Sequence, residues 1–306
     1  MSTVLDIIKG ETLDPPARVT AVMDAIRARH TDRVQAMVYY GSSLRELDNS
    51  EKMLDFYVLV DSYRKTHGTG PRALINRLIP PAVYYLEREN EDGTLSTCKY
   101  SILSLSEFER RCSSKAFLSQ VWGRFSQPCA VLWSKEETVL DRVWAGRVKA
   151  VETMAAETAP LLEGRATAAV FWGRGFYESY QTELRPESST GRAEEIVARF
   201  AERYEAITTA LYGAPDENGN YEIPQKPIGK AKRRWFLRRL LGKPAAAIRV
   251  LLGAATFDGG IDYVARKVEN HSGVKLDPTP AQRRHPVLHS PFLFWKLWRK
   301  GAFRAN

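Results

Sequence analysis

Asp55 stands in an apolar segment, Met53–Asp61, which follows a break at Gly41-Ser42-Ser43 after another apolar run, Gln35–Tyr40. A carboxylate beside a glycine turn is equipment for phosphoryl chemistry. Gly41 permits a sharp turn that exposes the backbone N–H groups of Ser42 and Ser43, and such a nest can hold phosphate oxygens. If Met53–Asp61 is a strand, its two-residue period sends Asp55, Tyr57 and Asp61 to one face. Asp55 and Asp61 are then candidate ligands for Mg²⁺ held against a nucleoside triphosphate. Attack on an α-phosphate builds negative charge that donors and metal must offset while pyrophosphate leaves.

The layout is that of a nucleotidyltransferase, with one departure. The broader superfamily sets its second carboxylate two residues after the first, where this chain has Tyr57. Asp61, Asp48 or Glu87 could complete the metal's shell, or Asp55 could suffice with phosphates and water.

Several elements must position these groups. Asp14, Pro15 and the spacing of Val19, Val22, Met23 and Ile26 predict an opening helix. Ala82–Leu86 and Lys99–Leu105 read as strands separated by a polar loop, Glu87–Ser96, and Ser106 reads as the cap of a helix. After Pro128 the periodicity turns helical, with stripes at Leu140, Val143, Trp144, Val148 and Val151 and at Ile196, Phe200, Tyr204, Ile207 and Leu211. Trp172-Gly173-Arg174-Gly175 reads as a tight turn or helix interruption, because it lacks the Lys-Ser/Thr pair of a phosphate loop. Residues 212–230 are rich in Gly, Pro and Asn and read as a linker.

Three cysteines, Cys98, Cys112 and Cys129, have no metal-ligand spacing and an odd count, which argues against a disulfide framework or a zinc site. No run is apolar enough for a membrane-spanning helix, and the N-terminus lacks the design of a signal peptide. Charge is unevenly spread. Residues 226–306 hold 18 Lys/Arg against 4 Asp/Glu, while residues 1–225 hold 27 against 32. A cationic end on a mildly acidic body seeks an anionic surface. In Ala231–Lys243, Trp235 and Phe236 sit among Arg238, Arg239 and other cations, and Ser290–Phe303 repeats the theme with Phe294, Trp295, Trp298 and Arg299. Both suit a membrane interface; the alternative is a terminal segment that docks its aromatics on the body.

Four blocks in order, Tyr40-Gly41-Ser42, Met53-Leu54-Asp55-Phe56, Lys99–Ser104 and Gly123–Pro128, resemble the mitochondrial-type CDP-diacylglycerol synthases, the translocator assembly and maintenance family. Residues 34–130 carry most of the likeness, and Tyr180–Arg185 and Ala245–Lys267 resemble later helical blocks of the family. The family's NP-x-HY block has no counterpart in Ser62–Pro81, and Ser101 and Gln127 replace a common Gly and Lys.

The resemblance implies an α+β protein: a nucleotidyltransferase-fold mixed sheet with helices over residues 1–132, a mostly helical, winged-helix-like domain over 133–225, and a basic amphipathic region over 226–306. It implies conversion of CTP and phosphatidate to CDP-diacylglycerol and pyrophosphate with Mg²⁺. Gly41, Ser42 and Ser43 would cradle the triphosphate, Asp55 would bind metal and act with Lys99 in catalysis, and Lys99 and Arg124 would contact phosphate. The partner would be an anionic membrane, not nucleic acid, with the chain peripheral on a cytoplasmic face such as a bacterial inner membrane. Two other functions fit the residues: nucleotidyl transfer to nucleic acid along the basic tail, and a non-catalytic membrane scaffold of the same fold.

Overall fold

The structure is a computed structural model that describes residues 2–46, 49, 52–69, 74, 81–90, 93–183, 189–256, 277–284, 295 and 299. Five strands form its main sheet: β1 (Val34–Tyr40), β2 (Leu54–Val60), β3 (Ala82–Glu89), β4 (Leu95–Ser104) and β5 (Ala130–Ser134), in the order β3-β4-β2-β1-β5. β2 and β4 run parallel and the other pairs antiparallel, so the sheet is mixed, as expected. The parallel pair needs a crossover, and the chain between β2 and β4 makes it through helix α4 (Tyr63–His67) and the edge strand β3.

The near-continuous apolar runs of β1 and β2 reflect burial on both faces. One face packs Met37, Tyr39, Phe56, Val58 and Ile102 against helix α2 (Ala17–His30) through Val19, Val22, Met23 and Ile26. The other packs Val38, Tyr57, Leu59 and Leu103 against Phe108, Trp122, Phe125, Val143 and Met154. Those residues come from α5 (Leu105–Cys112), α6 (Trp122–Phe125) and α7 (Glu137–Thr158). The same cluster continues through Phe171, Trp172 and Tyr204 to Trp235. Residues from all three expected segments therefore pack into one hydrophobic cluster.

The helical part holds α8 (Ala168–Tyr180), α9 (Ser189–Arg199) and α10 (Ala201–Tyr212), bracketed by a two-stranded ribbon of β6 (Arg165–Thr167) and β7 (Asn220–Glu222). β7 lies inside the stretch read as a linker. Trp172–Gly175 lies within α8, so the expected interruption there is absent. A 29-residue helix, α11 (Ile228–Thr256), follows with Pro244 inside it, and Pro280–Arg284 forms a last short helix, α12. At the N-terminus, α1 (Val4–Lys9) is closed by a capping box between Thr3 and Asp6.

α1 and α10 are fastened by a half-buried carboxylate. Glu11, just after α1, accepts hydrogen bonds from Arg147 on α7 and from Arg203 on α10. Arg147 is fully buried, so this clasp neutralises a cation that could not otherwise stay in the interior. Cys98, Cys112 and Cys129 are free and buried.

Candidate active site

Asp55 is the second residue of β2, half-buried at the end where β1 runs out. Its register neighbours are Tyr40 on β1 and Lys99 on β4. Lys99 therefore shares the carboxylate's face, one strand away, and Tyr85 on β3 lies beyond it. The turn that follows β1 meets Asp55 directly. Gly41 has φ 92° and ψ −158°, and a Cβ built on it would lie 2.8 Å from Asp55 Oδ2. Only glycine takes this backbone conformation readily and leaves room for the carboxylate. Ser42 opens a single-turn helix, α3 (Ser42–Arg45). Gly41 and Ser42 are half-buried and reach the surface, whereas Ser43, expected to help cradle the triphosphate, is fully buried and closed off from a ligand.

Tyr40 links the carboxylate to the cations. Burial pushes its phenol well above the ordinary value, Asp55 and Tyr57 push it further, and Arg124 opposes them. The Arg124 guanidinium lies 5.3 Å over the Tyr40 ring and 3.9 Å from Glu183 Oε2. Burial works against its charge, but Glu183 and the phenols of Tyr40, Tyr180 and Tyr57 outweigh that and hold its pKa above the ordinary arginine value.

Tyr57 occupies the place of the second carboxylate and is closed into the core. Its ring lies 5.0 Å from Tyr40 and 4.8 Å from Phe125, and burial pushes its pKa up to about 12. Asp61 cannot take over as expected. It follows the far end of β2, six residues from Asp55 and so ~20 Å away at strand rise. There it accepts from the Ser62 N–H at 2.6 Å and pairs with Lys65 at 3.0 Å. Glu87 is also displaced, exposed on β3 two strands from β2, where it accepts a hydrogen bond from the Tyr85 hydroxyl at 2.6 Å. Asp48 lies outside the described residues.

No group of three or more His, Cys, Asp or Glu side chains suited to a metal occurs among the described residues. Asp55 alone still fits Mg²⁺, which commonly takes one or two protein carboxylates and completes its shell with substrate phosphates and water. Ser101 is buried in β4, and Gln127 donates to the Gly123 carbonyl at 2.9 Å while accepting from the Tyr180 hydroxyl at 3.2 Å.

The basic C-terminal region divides differently from expectation. Trp235 and Arg238 are fully buried and do not face lipid. The Trp235 indole N–H donates to the Glu157 carbonyl at 3.1 Å, and its ring lies 5.8 Å from Trp122. Arg238 donates to the Phe117 carbonyl at 2.7 Å and to Glu157 Oε2 at 2.8 Å, stacked 4.6 Å from the Trp235 ring. Arg239 pairs with Glu178 at 3.1 Å. These three fix α11 to the body. Phe236 is 61% exposed on the opposite side, with Leu240, Leu241, Lys232, Arg233 and Lys243 also exposed. Trp295 is exposed with Arg299 stacked 4.8 Å over it; Phe294 and Trp298 lie outside the described residues. None of the described helices is long and apolar enough to cross a membrane.

Two residues at the site escaped the motif reading. Glu183 and Arg249 sit at positions with no local signature; Arg249 lies on α11, far in sequence from Tyr57, whose charge it nevertheless feels.

No protein-family model and no curated protein matches the chain. Among solved structures, a nucleotidyltransferase-like protein from Exiguobacterium sibiricum 255-15 aligns over 94% of this chain and 92% of its own, at 9% identity and TM-score 0.28. At that distance the site must be judged on its own geometry.

Proposed function

We propose that this chain is a Mg²⁺-dependent cytidylyltransferase working at an anionic membrane surface, joining CTP and phosphatidate into CDP-diacylglycerol with release of pyrophosphate. The observation that carries the transfer chemistry is the contact between the Gly41 turn and Asp55, with Lys99 in register beside it. The choice of CTP and phosphatidate rests on the four family-like sequence blocks.

In this reading the backbone of Gly41 and Ser42 holds the triphosphate, and Asp55 fixes its approach. A phosphate oxygen of the acceptor attacks the α-phosphorus of CTP; that O–P bond forms as the bond to the bridging α,β oxygen breaks, and pyrophosphate leaves with the electron pair. Two anions must meet, and Lys99 and Arg124 offset their charge. A bound Mg²⁺ would neutralise the phosphates from the Asp55 side. The exposed side of α11, with Phe236, Leu240, Leu241, Lys232 and Arg233, supplies interfacial attachment, each cation near an anionic leaflet being worth about 1 kcal/mol before screening.

The test is incubation of the purified protein with CTP, Mg²⁺ and phosphatidate in mixed micelles, with pyrophosphate and the lipid product measured separately. CTP should be used in preference to ATP, GTP and UTP. A second reading, a non-catalytic nucleotide-binding scaffold, is favoured by the closure of Tyr57 over the place of the second carboxylate. It predicts CTP binding with no product in the same assay.

A further inference from the structure

The catalytic face carries more positive than negative charge among the described residues. Asp55 and Glu183 provide two carboxylates, and Lys99, Arg124 and Arg249 provide three cations. Nearby Arg110 and Arg111 are already taken, held by Glu107 at 2.6 Å and 2.5 Å. A partly desolvated cation in surplus is costly, and a bound anion removes the cost.

Packing places Arg249 at this surplus. The inward side of α11 runs through Ala231, Trp235, Arg238 and Gly242, all buried. At Gly242 the helix approaches so closely that a Cβ would strike the Thr182 carbonyl, the residue before Glu183. Arg249 follows seven residues later, on the same side of the helix and ~10 Å further along. The charged and titratable groups that bear on it are Tyr57, Glu183 and Arg111. Asp55 is not among them. Tyr57 thus feels the charge of two guanidiniums from different parts of the chain, Arg124 and Arg249.

Charge compensation at the two arginines differs. Burial lowers the pKa of Arg249, and Tyr57 and Glu183 restore only part of the loss, while at Arg124 the partners outweigh burial. Meanwhile Leu241 and Ile248, the latter beside Arg249 in the chain, are exposed on α11. The helix therefore offers apolar surface next to an under-compensated guanidinium, a combination suited to an amphiphile with a phosphate head.

Resting on the cytidylyltransferase reading, we infer that Arg249 is the acceptor-recognition residue: its guanidinium binds the phosphomonoester of the lipid, whose chains lie along Leu241 and Ile248, while the nucleotide is held from the Gly41 side. The planar fork of arginine matches a phosphate bidentately, which a lysine cannot reproduce.

The test is calorimetric titration of the full chain with dioctanoyl phosphatidate, with dioctanoylglycerol, and with CTP and Mg²⁺, for wild type, R249Q and R249K. R249Q should weaken phosphatidate binding by about tenfold or more and leave CTP affinity within twofold, with R249K intermediate; tenfold is 1.4 kcal/mol. Dioctanoylglycerol should bind weakly and equally to all three. Phosphatidate binding unchanged in R249Q, or a loss confined to CTP, overturns the inference. If R249Q does not fold, R249K decides: a threefold or greater loss for phosphatidate alone supports the inference, and no change overturns it. Wild type that binds phosphatidate but forms no lipid product overturns the cytidylyltransferase reading instead. Wild type that binds CTP but not phosphatidate overturns the subsite.

Discussion

Gly41→Ala and Gly68→Ala should damage the fold alike and the chemistry very differently. Both glycines occupy the same glycine-only region of backbone space, at φ 92°, ψ −158° and φ 75°, ψ −162°. Forcing alanine there costs about 1–3 kcal/mol at either site. At Gly68 the new methyl meets nothing within 4 Å, so the backbone cost is the whole effect. At Gly41 it lands 2.8 Å from Asp55 Oδ2, where ordinary contact begins at 3.4 Å. The carboxylate must retreat by about 0.6 Å, and since a misplacement of ~1 Å can cost ~10²-fold in rate, G41A should lose roughly 10- to 100-fold in kcat/KM. Pyrophosphate release measured beside thermal unfolding separates the two effects. G41A with the activity of G68A would show that the Gly41–Asp55 contact does not position the reacting groups.

Three further predictions concern the scaffold. Replacing Glu11 with Gln leaves the buried Arg147 without its counter-charge and should cost about 3–5 kcal/mol near neutral pH, read by denaturant unfolding. Burial raises the Glu11 pKa, but Arg147 and Arg203 outweigh it and hold it below the ordinary 4.5. Its contribution is then complete above that value and is lost as pH falls through the lowered one, so the gap between wild type and E11Q should close in acid; a gap independent of pH would contradict the assignment. Trp235→Ala should destabilise the protein by about 3–5 kcal/mol as a buried aromatic that docks α11. Phe236→Ser, one residue away but exposed, should change stability by no more than about 0.5 kcal/mol and yet weaken co-sedimentation with phosphatidate-containing vesicles; unchanged sedimentation would take this side of α11 out of the membrane contact.

β1 and β2 are legible because burial on both faces writes itself as a continuous apolar run: they fall within a residue of the segments the sequence predicts. The hairpin β3–β4 is longer than the sequence predicts. Glu87–Glu89 and Leu95–Thr97 are polar or exposed residues held in the sheet by pairing with each other, which propensity does not register. The second helical stripe is two helices that break at Phe200, with φ −122° and ψ 37°, because a hydrophobic period continues across a bend that the core imposes. α1 carried a readable signal, Thr3 with Asp6 three residues on.

The site was partly legible. Gly41 and Asp55 adjoin in space as their order suggested, but strand period alone could not reveal that Asp61 sits at the other end of β2 from the turn. Amphipathicity also hid which surface Trp235 and Arg238 meet. A buried cation stacked on tryptophans has the same composition as a headgroup anchor, and only the position of Glu157 distinguishes them.

The central claim is that Asp55 works with the Gly41 turn to transfer a cytidylyl group to a lipid phosphate. Its most direct test is formation of CDP-diacylglycerol from CTP and phosphatidate by wild type and by D55N, with both proteins shown to be folded. The account predicts product from wild type and a loss of at least ~10²-fold in D55N, the size expected when charge stabilisation at the reacting phosphate is removed. Equal turnover by a folded D55N, or CTP binding with no product from wild type, would contradict it.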